Sequence, residues 1–368
     1  MRRALVTGAT GLVGRHIVDH LLENGWHVRA LVRRMTSAVD LRQRGAELQL
    51  GDVLDEASFR VAASGCDVIF HAASGGSAAG DWEAVRKGYV DGTRNAIQAA
   101  VYASARLVHI SSVAVYGFDD FVGGSDEATR DHKQRRFLNG DRTRYNASAC
   151  FPPPVTEETP FLPLHGSAHY AWAKRECDDL VLVSHRAGKI WATSLRPALV
   201  YGPHDRHFVP RLARMIRFGI VPLFAGGRST LPAVHAANVA AGVVNAAVTE
   251  VAGGRAYNLA NDYDVSVREF MAYAAEGLGI SAHFIPFPTW AARGVIRATR
   301  AVSLFMPAGG FRAPRDSSIA IFARDNPFTS GRARSELNWS PTVRPDVGVR
   351  EAFAWWQVAV RTSPKSTS

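Results

Sequence analysis

Tyr170 and Lys174 stand four residues apart in Tyr170-Ala171-Trp172-Ala173-Lys174, the opening of a stretch that reads as a helix to about Arg186. Residues four apart share one helix face, so the phenol and the ammonium would be neighbours. A free tyrosine titrates at about pH 10, too high to act as a general base near neutrality. A positive charge beside it favours the phenolate and lowers that value. Such a pair can pass a proton to or from a substrate oxygen. Ser112 follows the short apolar run Leu107 to Ile110, where a central strand would end. Its hydroxyl could hold and polarise the same oxygen. A Tyr-x-x-x-Lys spacing alone fits many ordinary amphipathic helices, so its meaning depends on what positions it.

The positioning begins at the first turn of the chain. Arg3 to Val6 is a short apolar run, and Gly8, Gly11 and Gly14 follow at three-residue spacing in Val6-Thr7-Gly8-Ala9-Thr10-Gly11-Leu12-Val13-Gly14. Ile17, Val18, Leu21 and Leu22 then recur at helical spacing until Gly25. This is strand, tight turn, helix. Glycines there let the backbone turn sharply and approach a pyrophosphate, and the helix start supplies N–H groups and a dipole for the phosphates. Glycine spacing alone is weak; between a strand and a helix it points to a dinucleotide. The expected cofactor contacts in this turn are Gly8, Thr10, Gly11, Leu12 and Val13. The ring of an oxidised nicotinamide would further lower the Tyr170 pKa.

His27 to Val32 reads as the second strand and ends in Arg33-Arg34, where such folds face the adenosine ribose. An acid there would bond the 2′-hydroxyl; two arginines instead favour a 2′-phosphate, hence NADP(H) over NAD(H). The plainer alternative is a pair of solvated loop arginines. Glu47 to Leu50 is a third strand, with Asp52 and Val53 placed to meet the adenine. Cys66 to Phe70 is a fourth, and His71-Ala72-Ala73 lets the cofactor lie close over small residues. Trp82 to Ala103 reads as one long helix. Short apolar strands alternating with amphipathic helices predict an α/β fold with a Rossmann-type, doubly wound parallel sheet.

Together these motifs identify a resemblance. The chain is similar to extended short-chain dehydrogenases/reductases of the NAD-dependent epimerase/dehydratase superfamily, nearest to its 3β-hydroxysteroid dehydrogenase-like and dihydroflavonol reductase-like branch. Carrying it are Thr7-Gly8-x-x-Gly11-x-x-Gly14, Asp52, His71-Ala72-Ala73, Ser111-Ser112 with Val115-Tyr116-Gly117, Tyr170-x-x-x-Lys174, and Leu195 to Pro203. It spans Arg3 to about Trp356. It implies a triad of Ser112, Tyr170 and Lys174, with Lys174 also on the nicotinamide ribose and Pro197 and Val200 under the nicotinamide. Tyr170 would pass a proton while hydride moves between a substrate carbon and the nicotinamide. Ser74, Tyr89, Val113, His204 and His207 are the expected substrate contacts, and a homodimer through the Tyr170 helix follows by analogy.

The chain departs from that pattern in three places. Tyr89 stands where the family usually has an asparagine, which puts a proton-relay or water-holding role there in question. The arginine that grips a diphosphate in nucleotide-sugar members falls at Leu231, with Arg228 nearby, and the usual aspartate at Ala237; Asn238 matches the reductase form. An insertion of about 30 residues, beyond ordinary loop length, separates Ser112 from Tyr170 at 118–154. It reads first as a disordered surface loop, and second as a lid over the substrate. His132, Cys150, His165 and His169 match no metal spacing, so no metal is expected.

The expected division is a dinucleotide-binding domain at 1–202, with 234–260 returning to it. A substrate lobe takes 203–233 and 261–356, and a frayed tail 357–368. Arg211, Arg214 and Arg217 recur at helical spacing and read as a solvated face, or else as contacts for an anionic substrate. Residues 289–306 mix tryptophan and aliphatic residues with arginines, which suits a packed lobe helix or a peripheral membrane contact. The net charge of +10 fits an arginine-rich surface; no motif supports nucleic-acid binding. Three cysteines without metal spacing suggest reduced thiols and a cytoplasmic setting. The first strand leaves no room for a signal peptide, and no apolar run is long enough to span a membrane. The function expected is hydride transfer between NADP(H) and a secondary alcohol or ketone of a lipophilic small molecule, sterol-like, flavonoid-like or β-keto. Nucleotide-sugar epimerisation or dehydration is the alternative, and a non-catalytic NADP-binding sensor the more distant one.

Overall fold

The computed structural model describes residues 2–73, 82–117, 154–164, 166, 168–260, 263–288, 322 and 325–362. Most of the 118–154 insertion, Ser74 and the 289–306 stretch lie outside them.

The chain alternates β1 (Arg3–Thr7), α1 (Leu12–Glu23), β2 (His27–Val32), α2 (Val39–Gln43), β3 (Glu47–Leu50), α3 (Glu56–Ala63) and β4 (Val68–His71). Next come α4 (Trp82–Arg86), α5 (Gly92–Ala103), β5 (Arg106–Ile110), α6 (His169–Arg186) and β6 (Ala192–Pro197). With β10 (Ala256–Leu259), these strands form a seven-stranded sheet in the order β10-β6-β5-β4-β1-β2-β3. Every pairing in it is parallel. Parallel sheets carry helices on both faces, so their central strands are apolar without alternation. Accordingly Ala4 to Thr7 and all of β4 are buried. Val6, Phe70 and Val108 pack with α1 and α8 (Ala236–Val248) on one face. Leu5, Ile69 and Leu107 pack with α3, α5 and α6 on the other. The chain reverses direction of winding beside β1 and β4, and the carboxyl ends of those strands open the crevice where such sheets bind ligands.

The lobe has its own core. It joins α7 (Phe208–Ile216), β8 (Ile220–Phe224), α9 (Val267–Gly277) and β11 (His283–Phe287) to α11 (Pro345–Thr362), with Phe270, Phe353 and Trp356 at its centre. β8 pairs with β11, and β7 (Leu199–Tyr201) pairs with β9 (Ala233–His235). The short α10 (Gly331–Glu336) sits against β10.

Three expectations need correction. The tail does not fray from 357: α11 runs to Thr362, and the Gln357 amide donates to the Leu278 carbonyl at 3.0 Å, which fastens that turn to the lobe. The helix expected over Trp82 to Ala103 is interrupted by a π-turn at Lys87–Asp91. The segment expected to return at 234 opens not as a helix but as the end of strand Ala233–His235, paired with β7, and its helix starts at Ala236.

Candidate active site

The glycine turn is built for close backbone contact. Gly8 has φ +67°, and a Cβ on it would lie 2.7 Å from the Ala72 carbonyl and the Ala73 nitrogen. A Cβ on Gly14 would lie 2.2 Å from the Gly8 oxygen. Only glycine lets β1, α1 and the end of β4 converge this tightly. Gly11 is the N-cap of α1, with no side-chain cap and no acid in the first turn. The N–H groups of Leu12 and Val13 therefore face a region suited to an anion. This cradle fits the pyrophosphate of a dinucleotide cofactor.

A hydrogen-bonded chain ties that cradle to the helices behind it. Thr7 Oγ1 accepts from the Ala73 N–H at 3.2 Å and lies 2.9 Å from His71 Nδ1. Its one proton is left for that nitrogen. The Thr93 hydroxyl donates to the Tyr89 carbonyl at 2.8 Å and so accepts from His71 Nε2 at 3.4 Å. His71 is thereby fixed as the neutral Nε2–H tautomer. Burial, and secondarily the Lys174 ammonium, push its pKa down to about 3. His109 stacks on it at 5.7 Å and is likewise held neutral by burial.

Lys174 and Tyr170 lie one turn apart on α6. Lys174 is only 7% exposed, and its Nζ donates to the Ile110 carbonyl at 2.7 Å. Burial lowers its pKa, with Cys177 and Asp178 opposing. The Tyr170 ring meets Tyr89 edge-on, with centroids 5.7 Å apart and planes at 81°. Ser112 follows β5 after Ser111 and opens the 3₁₀ turn Val113–Tyr116, its Oγ accepting from the Ala114 N–H at 3.2 Å. Arg175, next to Lys174, donates to the Val115 carbonyl at 2.6 Å and to the Leu162 carbonyl at 2.9 Å. Neighbouring residues of α6 thus grip β5 and the Ser112 turn, bringing the three proposed triad residues to one end of the sheet. The half-buried Val113 belongs to the same turn, where it packs near Phe161 and Phe328.

The other expected positions divide by role. Arg33 and Arg34 are exposed at the end of β2, beside the glycine turn. Asp52 accepts from the Leu54 N–H at 3.0 Å, while Val53 is a core side chain whose carbonyl accepts from Asn95. Pro197 ends β6, and Val200 packs partly into the main core. His204, at φ +71°, packs against Trp355 with ring centroids 4.5 Å apart and planes tilted at 51°, and burial, then Arg15, lower its pKa to about 4. The His207 N–H donates to Asp205, whose carboxylate also takes the Phe208 and Val209 N–H groups and so caps α7. Leu231 is buried in the lobe core, so an apolar side chain occupies the position expected to hold an arginine in nucleotide-sugar members. Asn238 is spent on structure: its side chain bonds Thr342 and Val343, stitching α8 to the closing segment. Arg228 lines a separate hollow with Ser266 and Arg268. Among the described residues, no group of His, Cys, Asp and Glu is arranged to hold a metal, and His132, Cys150 and His165 lie outside them.

One network at the site is not legible in the sequence, although Tyr116 and Arg196 fall within two of its motifs. Asp178, fully buried on α6, pairs with Arg196 of β6 at 2.5 Å and accepts from Ser194. Arg196 continues to the Tyr116 hydroxyl at 2.8 Å, and that hydroxyl donates to Asn258 of β10 at 2.9 Å. This network locks the helix bearing Tyr170 and Lys174 to the strand that leads into Pro197.

Residues 4–260 match the family model described as NAD dependent epimerase/dehydratase family. A curated relative from Stigmatella aurantiaca, a 4-hydroxy-2-methyl-3-oxo-4-farnesyl-3,4-dihydroquinoline-1-oxide ketoreductase, is 29% identical over 94% of each chain. A 3beta-hydroxysteroid-dehydrogenase/decarboxylase isoform 2 from Arabidopsis thaliana is 24% identical over 96% of this chain and 61% of its own. Among solved structures, the UDP-glucose 4-epimerase of Thermotoga maritima superposes with a TM-score of 0.66 at 18% identity, covering 97% of this chain and 99% of that one. That likeness establishes the shared fold.

Proposed function

The chain belongs to the NAD dependent epimerase/dehydratase family, and from that premise we propose that it is an oxidoreductase moving hydride between NADP(H) and a secondary alcohol or ketone on a lipophilic small molecule. The observation that carries the chemistry is the buried Lys174 ammonium, fixed on the Ile110 carbonyl one helical turn from Tyr170. When bound, the nicotinamide cofactor supplies or accepts the hydride at the substrate carbon. Tyr170 gives the proton to the substrate oxygen during reduction and takes it back during oxidation. Lys174 lowers the phenol pKa by its charge and holds the nicotinamide ribose. The Ser112 hydroxyl donates to the substrate oxygen and polarises it.

Gly8, Thr10, Gly11, Leu12 and Val13 would hold the cofactor's pyrophosphate, Asp52 and Val53 would meet its adenine, and His71 to Ala73, Pro197 and Val200 would line the rest of its groove. Arg33 and Arg34 favour the 2′-phosphate of NADP(H). For the substrate, an apolar preference is supported by Leu231 and by the farnesyl-bearing ketone and the steroid named for the two relatives. Val113, His204 and His207 stay as proposed contacts, Tyr89 lies almost wholly in the interior, and Ser74 is proposed from the sequence alone. A homodimer is supported by exposed Tyr102 on α5 and Trp172 and Val183 on α6. A cytoplasmic setting agrees with the free, buried thiols of Cys66 and Cys177. No helix among the described residues is long and apolar enough to cross a membrane.

The direct test is a screen of lipophilic ketones, steroids and nucleotide sugars with NADPH and NADH. Stoichiometric loss of NADPH with a ketone is expected. Conversion of a nucleotide sugar without net cofactor turnover would instead identify an epimerase.

A further inference from the structure

We propose that Tyr89 is a positioning residue for the Tyr170–Lys174 pair, its ring packing against both and holding the ammonium beside the phenol. This rests on the reading of Tyr170 as the proton carrier, and gives Tyr89 a role that does not need its hydroxyl.

The geometry is threefold. Tyr89 is 6% exposed, so the ring is part of the interior. Lys174 Nζ stands over its face, 5.3 Å from the centroid. The Tyr170 ring meets it nearly at right angles at 5.7 Å. An aromatic face attracts a cation through its quadrupole, and more strongly where water is excluded. A perpendicular ring pair at this distance is likewise favourable. The one ring therefore touches both members of the pair and fixes their separation.

A neutral partner matters here because Lys174 lacks a carboxylate of its own. The near acid, Asp178, is committed to Arg196 and Ser194. Among the described residues the ammonium meets the Ile110 carbonyl and the Tyr89 face. Burial works to discharge it. The ring opposes that by stabilising the charged form without neutralising it, so the positive charge stays available to act on the phenol. A carboxylate in the same place would cancel that charge.

Tyr89 is itself held from two directions. It lies in the π-turn Lys87–Asp91, the kind of one-residue insertion that re-aims side chains inside helices. Its carbonyl accepts from Thr93, which continues through His71 and Thr7 to the Ala73 N–H. The cofactor cradle and the ring under Lys174 thus share one hydrogen-bonded chain.

The other ionisable groups around the pair are accounted for. His169 opens α6, and Cys177 and Asp178 lie one turn beyond Lys174. His71 and His109 face Lys174 from the sheet and are neutral. Arg196 of β6 is bound to Asp178, and Arg175 to the Ser112 turn. On the outer side Asp91 pairs with Arg86 and Arg94, and Arg94 with Glu176.

The test titrates Tyr170 by the near-ultraviolet absorbance of tyrosinate with NADP⁺ present. Subtracting Tyr170→Phe from the wild type isolates its phenol, and the same subtraction is made in Tyr89→Phe and Tyr89→Leu backgrounds. Tyr89→Phe keeps the ring and should leave the value unchanged. Tyr89→Leu should raise it by about half to one pH unit, the size of a partly buried cation–π contact. Retained NADPH binding verifies folding; should Tyr89→Leu not fold, Tyr89→Met gives the same comparison. An unchanged phenol pKa in the folded Leu or Met variant overturns the proposal. Because the titration needs no turnover, a wild type that reduces no ketone would sink the proposed reaction while this result stood by itself.

Discussion

Lys174 Nζ donates to the Ile110 carbonyl at 2.7 Å, which joins the helix carrying Tyr170 to the strand that delivers Ser112. Two elements separated by the whole 118–154 insertion are pinned together at the proposed active site. Tyr170→Phe removes the proposed proton carrier and leaves this pin in place. Turnover should fall by about 10²–10⁴-fold, the usual worth of general acid–base catalysis, with NADPH affinity close to wild type by fluorescence titration. Lys174→Met removes both charge and pin, and should lower turnover and NADPH affinity together. Near-normal rates in Tyr170→Phe would remove it from the catalytic role.

Gly14→Ala tests the cradle. The added Cβ would lie 2.2 Å from the Gly8 oxygen and 2.6 Å from its carbonyl carbon, so the backbone itself must shift. Overpacking of this kind costs about 1–3 kcal/mol, and it would displace the N–H groups proposed to meet the pyrophosphate. Weaker binding of NADPH and NADH alike is expected, with a lower thermal midpoint. A variant that binds both normally would place the pyrophosphate elsewhere.

Arg33→Ala with Arg34→Ala separates the two cofactors. Both arginines are exposed, so the fold should not notice their loss. A hydrogen bond to a charged group contributes about 1.5–3 kcal/mol, so NADPH affinity should drop on the order of ten- to a hundredfold while NADH changes little. Equal losses for the two cofactors would show that the 2′-phosphate is read by other residues.

The cradle was legible in the sequence because it is local: Gly8, Gly11 and Gly14 impose their turn within a few residues, and Tyr170 and Lys174 need only one helix. What surrounds them is not local. Tyr89 stands out in the sequence as a tyrosine in the family's asparagine position and an expected substrate contact, but its contact with Lys174 does not, because the π-turn that aims it depends on packing against α6. Asp178 bonds Arg196 and Ser194 of β6, and the network passes from Arg196 to Tyr116 and on to Asn258 of β10. No spacing rule links residues so far apart in the chain. His204 and His207 are expected substrate contacts by resemblance, and the structure ties them to Trp355 and to the Asp205 cap, contacts no spacing rule shows.

Asp178→Ala should show what that network contributes. It strands the Arg196 guanidinium, 4% exposed, without its carboxylate. Breaking a buried pair by removing one partner costs about 3–5 kcal/mol. A matching fall in unfolding free energy by urea titration is expected, with loss of turnover as α6 loosens from β6. A change under about 1 kcal/mol would mean that water reaches this pair.

Stability should fall in acid, and the buried histidines set where. His71 has its pKa pushed to about 3 by burial and by Lys174, His235 to about 3 by burial and by His16, and His109 moves the same way. In the unfolded chain each titrates at about 6.5, so between these values the unfolded state binds more protons. The contribution is therefore complete above about pH 6.5 and is lost as pH drops toward 3, at about 1.4 kcal/mol per pH unit for each histidine. His109 allows a clean subtraction. Among the described residues neither of its ring nitrogens has a hydrogen-bond partner, and it stacks on His71. His109→Phe keeps the stacked ring and removes an unpaired polar group, so stability at neutral pH should hold or rise. The slope of unfolding free energy against pH between 5 and 6.5 should lessen by one histidine's share. An unchanged slope in His109→Phe would mean that the imidazole takes up its proton in the folded protein, with water reaching it behind the sheet.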